Sequence, residues 1–298
     1  MERRISRSLI VPTHKRNNLM NNTFDYSNST ALITGASSGI GAALAEALAQ
    51  RGCSIILSAR DAARLEARAA QLRQAYNVNV AVVTADLSQP NGASDLHAEI
   101  VRRGLAVDLL VNNAGFGLTG PFLSHALSEE EAQVQVNVTS LMTLTHLFAP
   151  AMAERSRGGI INIASLAAFQ PQFNSAVYAA SKSFVLLFSE ALWLELAPRG
   201  VHVLAVCPGP VVTNFFERIG SKPPPQSISP QLVVSETLRA FDKKQAVLVP
   251  GTLTTRIQAF AHRVLPRTVV ARIAASVSTK IMTNENKRNE PSNVTSQP

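Results

Sequence analysis

Residues 30–48, TALITGASSGIGAALAEAL, run from a short apolar stretch through three glycines into a helical pattern. Ala31–Thr34 reads as a buried strand, and Ile40, Leu44, Ala47 and Leu48 recur at helical spacing. Between them Gly35, Gly39 and Gly41 allow close backbone approach, with Ser37 and Ser38 on the turn and Ile40 opening the helix. A helix N-terminus offers unpaired N–H groups and a partial positive charge, so this unit can hold a pyrophosphate. The spacing is G-x-x-x-G-x-G, which departs from the commoner G-x-G-x-x-G dinucleotide fingerprint. A tight connection without a ligand is the bland alternative. The pattern of the remaining chain argues against it.

Outward from this stretch the same alternation continues. Apolar runs at 54–58, 78–84, 107–111, 160–164, 201–206 and 246–249 read as buried strands. Helical stretches at 40–51, 62–76, 93–103, 129–153, 176–197 and 230–241 separate them. Strands alternating with helices of this length predict an α/β fold: a doubly wound, Rossmann-type parallel sheet with helices on both faces, in one domain over 29–250. The first 28 residues are polar and aperiodic, which predicts disorder, and Met20 is an alternative start to a targeting segment.

Composition narrows the function classes. The chain of 298 residues is 46% hydrophobic, enough for a substantial core, and has no run of 18 uncharged apolar residues. Two cysteines, Cys53 and Cys207, sit in apolar runs and read as small buried hydrophobes, so a reducing, cytoplasmic setting is expected. The net charge is +8, but five Lys/Arg against one Glu fall in residues 1–20 and seven against two in residues 251–298. The body between them is close to neutral. That argues against nucleic acid as a partner.

The second strand ends in IILSARDAARL, residues 55–65. An acid at the end of this strand selects NAD through the ribose 2′-hydroxyl, whereas an Arg nearby accommodates the 2′-phosphate of NADP. Ala59 stands where the acid would be, and Arg60 comes next, with Ser37 as a second donor. Asp61 complicates the reading, and its expected role is to cap the helix from Ala62. NADP(H) is therefore expected over NAD(H).

Tyr178 and Lys182, in VYAASKSF at 177–184, share one helical face. Reduction of a carbonyl by hydride leaves an alkoxide that needs a proton, and an unperturbed phenol with pKa about 10 matches neutral pH poorly. An ammonium ~4 Å away at an effective dielectric of ~20 is worth ~4 kcal/mol to the phenolate. That would lower the phenol by up to about three units. Ser165, just past a strand, can polarise the substrate oxygen.

TGASSGIG (34–41), NNAG (112–115), Asn137 in VQVNVTS, Ser165 in INIAS, the Tyr178/Lys182 pair, and PGP with Thr213 (208–213) occur in one order. On these motifs the chain, over about residues 29–250, resembles the short-chain dehydrogenases/reductases in their shorter form. The resemblance implies that Asn137, Ser165, Tyr178 and Lys182 are catalytic, with Asn137 holding a water chain from Lys182 to solvent. It implies that Lys182 binds the nicotinamide ribose, that Asn113, Ala114 and Gly115 line the cofactor, and that Asp86 and Leu87 border the adenine. Pro208, Gly209 and Thr213 complete the cofactor set, and pairing through the two long helices gives a homo-oligomer. Taken singly, Ser165, Asn137 and Asp86 could each serve only as local caps.

The segments after the strand ends, 116–122, 166–174 and 211–230, carry Phe116, Phe169, Phe173, Phe215 and Phe216, about half of them expected in the core. They imply an apolar pocket for a hydrophobic ketone, aldehyde or secondary alcohol, with SKPPPQSISP (221–230) as a stiff flap. Beyond Gly251, Leu253, Ile257, Phe260 and Val264 share a helical face, and 268–281 could form a second basic helix before a disordered tail at 283–298. This region (251–282) suits a lid or oligomer contact, or a peripheral membrane surface. An NAD-preferring alcohol dehydrogenase and a cofactor-sensing protein without activity are the rival functions.

Overall fold

The computed structural model describes residues 24–261, 266, 268–272 and 275. Its elements in chain order are β1 (Thr30–Thr34), α1 (Gly39–Gln50), β2 (Ser54–Ser58), α2 (Ala62–Tyr76), β3 (Val80–Val82) and α3 (Gly92–Arg102). Next come β4 (Leu109–Asn112), α4 (Leu127–Val134), α5 (Leu141–Glu154), β5 (Gly158–Ile163) and α6 (Ala176–Leu196). The last are β6 (Val201–Val206), α7 (Phe215–Arg218), α8 (Pro230–Asp242), β7 (Val247–Leu248) and α9 (Leu253–Ala261).

One seven-stranded parallel sheet, in the order β3-β2-β1-β4-β5-β6-β7, organises the chain. Successive strand residues face opposite sides. Ile33, Leu57 and Val111 therefore enter one core with Leu44 and Leu48 of α1 and Phe241 of α8. Leu32, Ile56 and Leu110 enter the other with Ile100 of α3 and Phe148 of α5. Val185 and Leu186 of α6 close the second face against Ala205 and Cys207. Both faces are covered, which is why the strands are apolar throughout rather than alternating. The expected doubly wound architecture is the one observed.

A line of buried polar groups crosses the second face. Asn112 on β4 is in register with Asn162 on β5. Asn112 Nδ2 donates to Thr145 Oγ1 of α5 at 3.0 Å and to Asn162 Oδ1 at 2.9 Å, and Asn162 Nδ2 donates to Ser189 Oγ of α6 at 2.9 Å. These bonds fix the two helices against adjacent strands, since leaving such groups unpaired in a core is costly. The site depends on this placement, because α6 carries Tyr178 and Lys182.

Two expectations need correction. The single helix expected over 129–153 is divided by six residues of π-helix, Gln135–Ser140, between α4 and α5. A periodic apolar pattern carries no mark of one extra residue per turn, so the interruption is invisible to it. Disorder expected to residue 28 fails at its end. Tyr26 is buried, Phe24 packs edge-on against Phe241 with centroids 5.4 Å apart, and the Tyr26 hydroxyl donates to Asp242 at 2.6 Å. Residues 1–23 and the expected tail at 283–298 lie outside the described residues. So does most of the helix expected at 268–281, although 268–272 are helical. Segment 176–199 is long and apolar enough to pass for a membrane span. Its buried face on the sheet and its buried Lys182 make it a core helix.

Cys53 and Cys207 are fully buried free thiols, and burial pushes both up to about 12, as expected for small hydrophobes. Asp242 also receives Arg51 at 3.1 Å, so the N-terminal segment is tied to a charged pair at the end of α8. Tyr26→Phe removes a hydrogen bond to a charged acceptor and should cost about 1.5–3 kcal/mol. A lower urea midpoint at unchanged m-value is the expected reading, and an unchanged midpoint would show that the segment adds no stability.

Candidate active site

The chain order reverses beside β1, which lies between β2 and β4, so the loops leaving β1 and β4 diverge and open a cleft at the carboxyl ends of the strands. At the floor of this cleft Thr34 ends β1. Its Oγ1 accepts from the backbone N–H of Asn113 and Ala114, each at 3.0 Å. Asn113 Nδ2 returns to the carbonyls of Thr34 at 2.9 Å and Gly35 at 3.3 Å. The two loops are thus stitched edge to edge. A Cβ on Gly41 would lie 2.4 Å from Asn113 Nδ2 and 2.6 Å from the Gly35 carbonyl oxygen. Glycine at 41 is required by this approach, and Gly35, at φ +64°, by its backbone conformation.

Above that knot α1 begins. Ser38 is its N-cap but makes no side-chain capping bond, and the first turn has no acid. The opening amides of α1 therefore lack a capping side chain, and the residues present fit a dinucleotide pyrophosphate. Ser37, Gly39 and Ile40 are all half-exposed on this turn, and Thr213 Cγ2 would sit 3.2 Å from a Cβ on Gly39. The Pro208 carbonyl accepts from the Leu166 N–H at 2.8 Å, which brings the PGP loop and Gly209 beside Ser165.

Arg60 is exposed and makes no hydrogen bond or ion pair among the described residues. Asp61 caps α2 by accepting from Arg64 N at 3.0 Å and also pairs with the Arg64 side chain at 3.2 Å, as expected of a capping residue. Asp86 accepts from Ser88 N at 3.0 Å, Ser88 Oγ at 2.7 Å and Gln89 at 3.3 Å, and these bonds hold its carboxyl below the usual range. Its local capping role is real. Leu87 is buried, and its carbonyl accepts from Ser140 Oγ at 2.8 Å.

The catalytic candidates converge on the far side of the cleft. Ser165 Oγ accepts from Ala167 N at 3.1 Å, so it does cap a turn, and its hydroxyl also stands near enough to the Tyr178 phenol to act on its acidity. Lys182 is 5% exposed, with Nζ donating to the Ile163 carbonyl at 2.9 Å and lying 5.9 Å from the Tyr178 ring centroid. Asn137 sits in the π-helical segment, fully buried. Its amide clamps the Phe116 peptide from both sides: Oδ1 accepts from Phe116 N at 3.1 Å and Nδ2 donates to Phe116 O at 2.9 Å. Nδ2 also reaches Ser181 Oγ at 3.1 Å. Gly115 lies between these groups, because a Cβ there would stand 3.0 Å from Asn137 Oδ1 and 3.3 Å from Lys182 Nζ.

Several participants escaped sequence reasoning. Thr34, Gln133 and Ser181 hold the loops or the helix face through hydrogen bonds, and Gln133 Oε1 accepts from Leu118 N at 2.7 Å. Only Thr34, a hydroxyl at a strand end just before a glycine turn, carried a usable signal. Of the five phenylalanines none is fully buried, and Phe169 alone is packed against a core cluster. Phe215 lies with its ring 5.8 Å from that of Tyr178, and both rings crowd Gly117. The flap over 221–230 returns along the PGP loop, with Val212 N donating to Ile228 O at 2.9 Å. A separate cavity of about 550 Å³ lies under α9 at the β7 edge, lined by Phe169, Glu236, Arg239, Lys243, Val247 and Phe260, among others. Of the cleft-segment residues named above, its lining includes Phe169 but not Ser165, Tyr178 or Lys182.

The electrostatics differ from the expectation. Burial pushes the Tyr178 phenol above its ordinary value, opposed by the neighbouring Ser165 hydroxyl, while burial pushes Lys182 down to about 8. Desolvation disfavours both charged forms and outweighs their mutual attraction across this separation. A lowered amine and a hydroxyl-supported phenol side by side can still exchange a proton near neutral pH.

Residues 29–224 match the family described as short chain dehydrogenase. A short-chain dehydrogenase from Sphingobium yanoikuyae in complex with NADPH is similar, at 36% identity and TM-score 0.73 over 78% of this chain and 91% of that one. The bulky-bulky ketone specific alcohol dehydrogenase from Comamonas testosteroni is 30% identical, with TM-score 0.69 over 90% of this chain and 97% of that one. The very-long-chain 3-oxoacyl-CoA reductase of Anas platyrhynchos is 30% identical over 256 residues, 84% of this chain and 80% of its own.

Between pH 8 and 10.5 the unfolded chain binds more protons at Lys182 than the folded one, so this residue makes stability rise with pH across that window. Lys182→Met removes the burial cost of the charge. Its stability relative to wild type should be greatest below pH 8 and should shrink towards pH 10.5, by at most about 3 kcal/mol. Thermal melts of both proteins across that range test this, and a pH-independent difference would contradict the lowered amine.

Proposed function

The chain belongs to the short-chain dehydrogenase family, whose members are oxidoreductases acting on CH–OH groups with NAD(P), and on that premise we propose an NADP(H)-dependent enzyme for bulky hydrophobic carbonyl or secondary alcohol substrates. The observation that carries this reading is the meeting of the Ser165 hydroxyl, the Tyr178 phenol and the buried Lys182 amine beside the glycine turn. NADP(H), when bound, supplies or accepts the hydride. The opening amides of α1 and the loops at Gly35–Gly41 and Asn113–Gly115 would hold its pyrophosphate and nicotinamide half.

The chain's own groups do the proton chemistry. Ser165 donates to the substrate oxygen and polarises the carbonyl. Tyr178 gives its hydroxyl proton to that oxygen during reduction and takes it back during oxidation. Lys182, with a pKa near 8, resupplies that proton and binds the nicotinamide ribose. Asn137 positions the Phe116 peptide and the Ser181 hydroxyl and leaves Lys182 a polar route outward past Gly115.

Two features support NADP over NAD. Arg60 is exposed and makes no hydrogen bond or ion pair among the described residues, its charge acting only weakly on Asp86, whereas the competing carboxylate of Asp61 is occupied with its helix cap and Arg64. The NADPH complex of the Sphingobium relative points the same way. Phe215 against Tyr178, with Phe116 and Phe173 around the mouth, supports an apolar substrate, as do the bulky ketone and long acyl chain named for the relatives.

Tyr178→Phe should lower kcat by roughly 10²–10⁴-fold while NADPH binding, followed by its fluorescence, is retained. Turnover at the wild-type rate would remove the phenol from the reaction. Arg60→Ala, which loses one charge-assisted contact, should raise KM for NADPH about 10–100-fold and leave KM for NADH nearly unchanged. Equal effects on both cofactors would reject the 2′-phosphate assignment.

A further inference from the structure

The two sides of α9 differ sharply. Inward, Ala259 is buried, Thr255 stands against Gly209 at 3.4 Å from the position of a Cβ there, and Arg256 reaches Glu236 at 3.5 Å. The helix also rests on the turn Leu166–Phe169 just after Ser165. Outward, Leu253 and Ile257, one turn apart, are 73% and 60% exposed, and Phe260, which also borders the cavity beneath the helix, is 60% exposed at its edge.

The same end of the molecule carries further apolar side chains. Phe122 and Leu123 from the loop after β4, Phe173 from the loop after β5 and Val212 from the loop after β6 all stand exposed, Leu123 at 94%. The Gly120 N–H to Asn174 carbonyl bond at 2.9 Å joins the first two loops. The Val212 bond to Ile228, and Ile228 Cδ1 at 3.5 Å from a Cβ position on Gly251, join the third to the start of α9. The exposed stripe and the cleft mouth therefore share one face.

Charge identifies what covers that face. Residues 251–298, which begin α9 and run on from it, carry seven Lys/Arg against two Glu, while residues 21–250 are nearly neutral. A second copy would bring two such cationic segments together. An anionic bilayer meets both demands, since apolar side chains enter the acyl boundary while Lys and Arg remain among the phosphates. We propose that α9 and the rim of the cleft dock onto an anionic lipid surface, with the mouth facing the membrane. Delivery of a lipophilic substrate from the bilayer is the consequence that rests on the oxidoreductase reading. The docking itself does not.

Flotation of the full-length protein with phosphatidylcholine vesicles, and with vesicles about one-third phosphatidylglycerol, tests the proposal. Recovery should be at least ~10-fold higher on the anionic vesicles and should fall in about 0.5 M salt. Ile257→Asp should lower recovery by ~10-fold or more, with an unchanged circular dichroism spectrum and unchanged turnover of a soluble ketone. Leu253→Ser at the helix start gives the same reading if the aspartate variant fails to fold. Equal recovery on both vesicle types, or full recovery of the folded variants, overturns the proposal. A dimer in light scattering that the variants dissociate, without vesicle recovery, assigns the stripe to a second copy and overturns it as well. Absence of ketone turnover in the wild type bears on the reaction alone, because flotation is read independently.

Discussion

Burial of the Lys182 amine is the constraint around which the cleft is arranged. Removing an ammonium from water is costly, and the Ile163 carbonyl restores only one of its hydrogen bonds. The amine stays because α6 is locked to the sheet from below by Val185, Leu186 and the Ser189–Asn162 bond. The same helix then presents Tyr178 one turn earlier, towards Ser165. Gly115 completes the arrangement, since a side chain there would occupy the space between Asn137 and the amine. A helix, two loops and a strand end thus converge on one desolvated nitrogen.

The π-helical segment shows how that convergence is reached. A regular helix from Leu127 to Glu154 would have to place Asn137 elsewhere on its surface. The extra residue per turn redirects it inward, where its amide pairs with the Phe116 peptide and reaches Ser181. Interruptions of this kind are retained where a side chain must point against the helical phase. On the opposite wall Thr34 achieves a comparable effect with one hydroxyl, binding two consecutive amides of the neighbouring loop. The glycine turn after β1 and the wall carrying Asn137 therefore meet along the Asn113–Phe116 segment, which both of them grip.

Surface composition divides in a related way. The covered sheet faces are apolar apart from the Asn112–Asn162 line, and the described ion pairs, such as Arg51–Asp242 and Arg102–Glu99, lie at the periphery, where each contributes little. Exposed apolar side chains stand around the mouth and along α9, and others, such as Leu127, Leu187 and Leu194, stand on α4 and α6. Ser165, Tyr178, Lys182 and α9 thus share one end of the sheet, leaving the opposite end to short connections.

Much of this was legible in the residues alone. Alternating apolar runs and helical periodicity determined the parallel sheet, because strands buried on both faces leave no polar alternation. Gly35, Gly39 and Gly41 marked the tight turn between β1 and α1 through conformational freedom, and Asp61 marked its own helix cap. Spacing placed Tyr178 and Lys182 on one face. What spacing could not supply was the dielectric around them: the expected depression of the phenol assumed a solvated ammonium, and burial pushed both groups towards their neutral forms instead. Tertiary structure alone also decided the inward turn of Asn137, the anchoring of Tyr26 and the contact of α9 with the Ser165 loop. Each depends on atoms far apart in the chain meeting where water is excluded, and local sequence pattern does not encode that.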